Sequence, residues 1–124
     1  MSSPNLKRLI LELGTGNDLY GEDYTKAAIR AVQDAMHHSS LTLFRSLNLD
    51  PNLMEIAVTI GVQKPAEVDV DQVAAQLPYG VVTVRPVFGG MNVEDPSNGT
   101  VTVIATAGIE AFYPNQTGRF QLAM

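Results

Sequence analysis

The chain has 124 residues, 45% of them hydrophobic and 17% charged, which suits one folded domain with one core and excludes an intrinsically disordered chain. The formal net charge is −5, and binding a phosphate backbone needs a basic face, so nucleic acid is not expected as a partner. There is no cysteine, which removes disulfides, a thiolate nucleophile and Cys-ligated zinc.

The opening stretch "MSSPNLKRLILELG" has an apolar run that ends at Glu12. It is too short and too charged for a signal peptide or a membrane span, so no membrane partner is expected and the cytoplasm is the expected location. Residues 6–13 read as a strand, with Leu9, Leu11 and Leu13 alternating with Arg8 and Glu12. The next segment, "GTGNDLYG", reads as a glycine loop over 14–21, a tight strand-to-helix crossover with glycines at positive φ. Residues 23–38 read as a helix with Ala28, Val32, Ala35 and Met36 on one face and Lys26, Arg30, Gln33 and Asp34 on the other. Glu22 or Asp23 would cap its start, and His37 and His38 fall at its end, where cations suit the helix dipole. "SLTLFRSL" adds a short helical turn.

Residues 53–63 read as a second strand, with Met54, Ile56, Val58, Ile60 and Val62 on one face. A second helix spans 69–77 and stops at Pro78. A third strand spans 79–88, and Pro86, which lacks a backbone donor, puts it at an edge or a bulge. A fourth strand spans 100–109, and the Asn98-Gly99 step before it makes strands three and four a hairpin with an enlarged loop. The order β-α-β-α-β-β implies an α/β domain built as an α+β sandwich: one mostly four-stranded sheet with two helices on one face. The other face would carry Ile10, Ala57, Thr59, Gly61, Thr83, Thr102 and Thr106. A surface of small, half-polar residues suits a subunit interface or a ligand floor.

The glycine segment departs from both phosphate-binding motifs. Gly14 and Gly16 have the spacing of a dinucleotide fingerprint, but Leu19 stands where the third glycine belongs. Gly16 and Gly21 have the P-loop spacing, but Glu22-Asp23 replaces the Lys-Ser/Thr pair, and two carboxylates repel a phosphate at a helix N-terminus. Asn17, Asp18, Glu22 and Asp23 are hard oxygen ligands without calcium-loop spacing, so no metal site is assigned and no cofactor follows from the sequence.

What remains is a set of candidate side chains. Asp18 and Tyr20 have no packing duty legible in the sequence and would orient or protonate a ligand. Lys26 and Arg30 lie one turn apart in the first two helical turns, where the dipole disfavours cations. With Arg85 they would hold a small anionic or carbonyl-bearing ligand, aided by backbone donors of Gly14, Gly16 and Gly21. For Lys26 a plain ion pair with Glu22 or Asp23 is the simpler explanation. Glu110, after an apolar strand, is the candidate general base. His37 and His38 are adjacent and cannot easily share a metal, and Tyr79, Phe112 and Tyr113 would pack at a rim or line a pocket.

"ELGTGNDLYGEDYTKAAIRAV" resembles the signature of a small uncharacterised family of bacteria, cyanobacteria and plants that carries Gly-x-Gly-x-Asp-x-His-Gly near its N-terminus. Gly14, Gly16, Asp18 and Gly21 match, and Tyr20 stands where the family has His. A tyrosine can donate a proton there but cannot act as a base near neutral pH. "PYGVVTV" and "GTVTVIATAGIEAFY" also look like the family. More loosely, the element order is similar to the units of bacillus-type chorismate mutase and of the amidohydrolases that open cyanuric acid and barbiturate rings. That resemblance implies a homo-oligomer, a chorismate-mutase-like trimer with sites between like units. "TAGIE" looks like the serine-bearing segment of the amidohydrolases, but Thr106 and Ala107 occupy the place of the nucleophile, so neither activity is carried over. Two functions are therefore expected as rivals. One is a small-molecule enzyme or binding protein with its site at a subunit interface around the glycine loop. The other is a non-catalytic assembly or regulatory protein whose small-residue sheet face binds a partner.

Overall fold

In the computed structural model, which describes residues 6–37, 50–78 and 80–114, the first strand does not stop where the glycines begin. β1 spans Leu6–Asp18 and leads through a short turn into α1, Tyr24–His37. There follow β2 (Glu55–Val62), α2 (Val70–Ala74), β3 (Val81–Phe88), β4 (Met91–Asp95) and β5 (Thr100–Pro114), with two 3-10 turns at Pro51–Leu53 and Pro65–Glu67. His38, the expected helical turn at "SLTLFRSL" and Tyr79 lie outside the described residues.

The strands form one sheet in the order β1-β5-β2-β3, with β4 paired to β5. β5 runs antiparallel to β1 along almost its whole length. On its other side it is shared: residues 106–112 pair with β2, and 100–104 pair with β4. β2 and β3 are parallel, joined by the crossover that contains α2. Both helices pack on one face, giving the α+β sandwich expected from the element order.

The sheet has five strands where four were expected. The additional one is β4, and it moves the hairpin: β5 pairs back onto β4, not onto β3. The cause is the Gly89-Gly90 pair. Gly90 takes φ 60°, and a Cβ there would run into the carbonyl oxygens of Ile104 and Gly61. Glycine lets the chain leave the sheet edge and cross the end of β2. The Asn98-Gly99 signal does mark the hairpin turn: Gly99 takes φ 68°, and Asp95 accepts hydrogen bonds from the Ser97 amide, the Ser97 hydroxyl and the Asn98 side chain.

The core lies between the sheet and the helices. β2 buries Ile56, Val58, Ile60 and Val62, with Met54 just before it; β5 buries its odd-numbered residues from Val103 to Tyr113. α1 contributes Ala27, Ala28, Ala31, Val32 and Ala35, and α2 contributes Val73. Each buried valine or isoleucine is worth about 1.5–3 kcal/mol. The alanines contribute less area, but they let α1 lie close on β1. β3 is a sheet edge, where Pro86 costs no ladder hydrogen bond.

Candidate functional site

The expected glycine loop is a strand followed by a short turn. Gly14 and Gly16 belong to β1 and face α1, where a Cβ on Gly14 would lie 2.5 Å from the Ala31 carbonyl oxygen. One on Gly16 would lie 2.6 Å from the Ala27 carbonyl oxygen and closer still to the Ala31 amide. These distances are inside any real Cβ contact, so only glycine admits the helix. Neither Gly14, Gly16 nor Gly21 has a positive φ; the left-handed residue of the turn is Glu22, at φ 48°. The expectation that these glycines shape a loop is corrected: two of them shape a helix–strand contact.

Asp18 ends β1 and is 5% exposed. Its Oδ2 accepts the backbone N–H groups of Gly21 and Asp23, both at 3.0 Å, so the carboxylate folds the turn around itself. Asp23 caps α1 by accepting the Lys26 amide at 2.9 Å. Glu22 does not share that task. Tyr20 projects from the turn, 73% exposed. Arg30 donates to the Asn17 carbonyl at 2.7 Å and lies 3.8 Å from the Asp18 carboxylate. Lys26 and Arg30 border a shallow depression with Asp23, Gln33 and Gln72 on the outer side of the helices.

The other face of the sheet carries no helix among the described residues. Register puts Arg8, Leu11, Leu13 and Thr15 of β1 there, with Thr106, Gly108, Glu110 and Phe112 of β5. It continues across Glu55, Ala57 and Thr59 of β2 and Val81, Thr83 and Arg85 of β3. A bulge between Arg8 and Ile10 sets Ile10, which was expected on this face, in register with Ala111. Leu11, Leu13, Val81, Met91 and Val93 are exposed large apolar residues of the face, Leu13 at 67%. Between them lies a depression of about 360 Å³ with a floor of Ala57, Thr59 and Thr83 and a rim of Arg85, Glu110, Glu55 and Phe112. Glu110 accepts from Arg8 at 3.1 Å. Arg85 and Glu55 make no hydrogen bond or ion pair among the described residues.

The residues singled out in the sequence therefore divide between two places. Asp18, Tyr20, Lys26, Arg30 and the glycines belong to the turn and the helix side. Arg85 and Glu110 share the open face. Along β1, Glu110 sits beside Leu11, seven residues before Asp18, or about 23 Å at the usual strand rise, and on the opposite face. One pocket cannot use both groups within one subunit. Sequence reading missed Arg8 and Glu55, which strand pairing brings to this face, and Asp34, which the packing of α1 on β1 brings to the Thr15 amide; the alternation that put Arg85 on this face would also have placed Glu55. Among the described residues no group of three or more His, Asp or Glu is placed to hold a metal ion. No helix among them is long and apolar enough to cross a membrane.

The chain matches a family model described as "Conserved hypothetical protein (Lin0512_fam)" over residues 8–111. It is also similar to a solved structure described as an FtsZ-like protein of unknown function from Nostoc punctiforme, with 36% sequence identity and a TM-score of 0.77. The match covers 89% of this chain and 98% of that one. No curated protein matches. The N-terminal signature implied a family without assigned function, and at that level the implication is met: the chain belongs to the conserved hypothetical family Lin0512_fam.

Proposed function

We propose that this protein is a homo-oligomer that holds a small ligand at the subunit interface on the open sheet face, with Arg85 as the anion-binding group and Glu110 as the general base. The observation that carries this reading is the depression itself. Among the described residues it joins an unpaired guanidinium to a carboxylate on a face that α1 and α2 leave bare. A sheet with one uncovered apolar face is normally covered by another sheet or subunit. A trimer of the chorismate-mutase type is the arrangement proposed, since there the sites lie between like units.

In this reading Arg85 presents a planar donor fork to a carboxylate or carbonyl oxygen. Thr59, beside it in register, and Thr83 supply hydroxyls. Glu110 is oriented by Arg8 and takes a proton from the ligand or from water. The partner subunit excludes solvent and strengthens these contacts. Gly14, Gly16, Gly21 and Asp18 act on the fold of the strand and turn, and Tyr20, Lys26 and Arg30 do not touch this ligand.

A second reading, a purely structural assembly protein, is favoured by the exposed Leu11, Leu13, Met91 and Val93, which need a partner but no chemistry. Two measurements in sequence test the two. Light scattering of wild type and Leu13→Glu is expected to give an oligomer and a smaller species respectively; a monomeric wild type refutes both readings. A thermal-shift screen of small carboxylates then compares wild type with Arg85→Gln. Shifts lost in the variant support the ligand site, and an oligomer that responds to no carboxylate leaves the assembly reading.

A further inference from the structure

We infer that the ligand of the open face is dipolar, with its anionic end at Arg85 and its cationic end at Glu55; this rests on the interface-site reading above. Glu55 was not among the residues that sequence pointed to. Three observations bring it in.

First, it is on the right face and the right line. Register pairs Glu55 with Val81 and Thr59 with Arg85, so Arg85 lies four residues further along the strands than Glu55 and one strand over. At roughly 3.3 Å per residue and 4.8 Å between strands, their backbones are about 14 Å apart. Both side chains border the same depression. They stand at its two ends, and the backbone separation leaves room for a short chain between them.

Second, the floor between them is bare. Ala57, Thr59 and Thr83 are the side chains that separate the two ends, and none is long enough to fill the space. A ligand lying along β2 meets methyl and hydroxyl groups below it and a charge at each end.

Third, the charges are uncommitted at the ends and committed in the middle. Arg85 and Glu55 have no partner among the described residues, whereas Glu110 is held by Arg8 at 3.1 Å. A dianionic ligand would satisfy Arg85 and set its other end against Glu55. A dicationic ligand would do the reverse. Only a molecule with an anionic group at one end and an ammonium at the other matches both, because like charges at close range cost what opposite charges gain. Glu110 sits opposite Ala57, between the two ends, so the group it could deprotonate lies in the middle of the ligand. The substrate class that fits is an amino acid or other amino-carboxylate.

Three probes of matched length test this: δ-aminovalerate, glutarate and cadaverine, each titrated calorimetrically into the intact protein in its native oligomeric state. The expected result is a Kd for δ-aminovalerate about tenfold or more below that for either symmetric probe. Glu55→Gln should remove the preference over glutarate while keeping carboxylate binding, and Arg85→Gln should weaken both carboxylate probes. Glutarate binding as tightly as δ-aminovalerate, with Glu55→Gln making no difference, overturns the dipolar ligand and leaves an Arg85 anion site standing. Failure of every probe to bind, or carboxylate binding indifferent to Arg85→Gln, overturns the interface-site reading along with it. Circular dichroism of the variants, both substituted at surface side chains, checks that they fold.

Discussion

Asp34, near the end of α1, accepts the backbone N–H of Thr15 in β1 at 2.9 Å. β1 is an edge strand of the sheet, so this N–H points away from β5 and would otherwise face solvent or another chain. One helical turn earlier, Arg30 donates to the carbonyl of Asn17 at 2.7 Å. The helix that packs on Gly14 and Gly16 thus reaches over the side of the strand and closes its edge with two side chains. Open strand edges are templates for pairing with other chains. Asp34→Ala is expected to cost about 1 kcal/mol in urea unfolding and to add a concentration-dependent larger species in light scattering. A variant whose mass stays constant with concentration would mean that the edge is protected by other means.

The two glycines of β1 should respond differently from the third. Gly16→Ala forces a methyl into the backbone of α1 and is expected to cost about 3 kcal/mol or more, or to prevent folding. Gly21→Ala meets only the Asp18 carboxylate, at 3.0 Å, and its φ is ordinary, so its stability should stay within about 1 kcal/mol of wild type. Denaturant midpoints of the two variants decide the matter. Equal losses would mean that the turn, not the helix contact, sets the need for glycine.

Asp18 holds two backbone amides of the turn, and its loss is expected to be felt as stability. Asp18→Ala leaves the Gly21 and Asp23 N–H groups without that acceptor and should cost about 1–3 kcal/mol. Asp18→Asn keeps a side-chain oxygen in place and should cost less. Carboxylate binding at the Arg85 depression, on the other face, should survive in Asp18→Asn. Abolished binding with unchanged melting temperature would instead make Asp18 part of the site.

The β4–β5 turn and the start of α2 should carry part of the acid sensitivity. The Asp95 carboxyl is held below the usual carboxylate range, chiefly by the Ser97 hydroxyl and also by the Ser97 and Asn98 amides. Asp69, which caps α2, is held low chiefly by the Gln72 amide and also by the Gln72 side chain. A carboxyl whose folded pKa is depressed stabilises the fold above its unfolded pKa and loses that contribution as pH falls through the folded value. Unfolding curves between roughly pH 5 and pH 2 should therefore fall less steeply for Asp95→Asn than for wild type. Parallel curves would show that the turn opens without cost in acid.

By itself the sequence determined the elements whose cause is local. The strict alternation of Met54 to Val62 marks a strand buried on one side, the spacing of Ala28, Val32 and Ala35 marks the inner face of α1, and Asn98-Gly99 marks a hairpin turn. Each of these depends on side-chain period or on a backbone angle that few residues can take. What needed the tertiary structure were the features fixed by contact at long range. Gly14 and Gly16 are glycines because of Ala27 and Ala31, more than ten residues away, and a glycine demanded by a neighbour's backbone looks the same in sequence as one demanded by a turn. β4 is too short to stand out and exists because β5 is long enough to pair with it beyond the end of β2. The division of the candidate residues followed from the sheet. Asp18 and Glu110 lie seven residues apart along paired strands and on opposite faces, whereas Arg85, Glu110 and Glu55 come together only because β3, β2 and β5 lie side by side in that register.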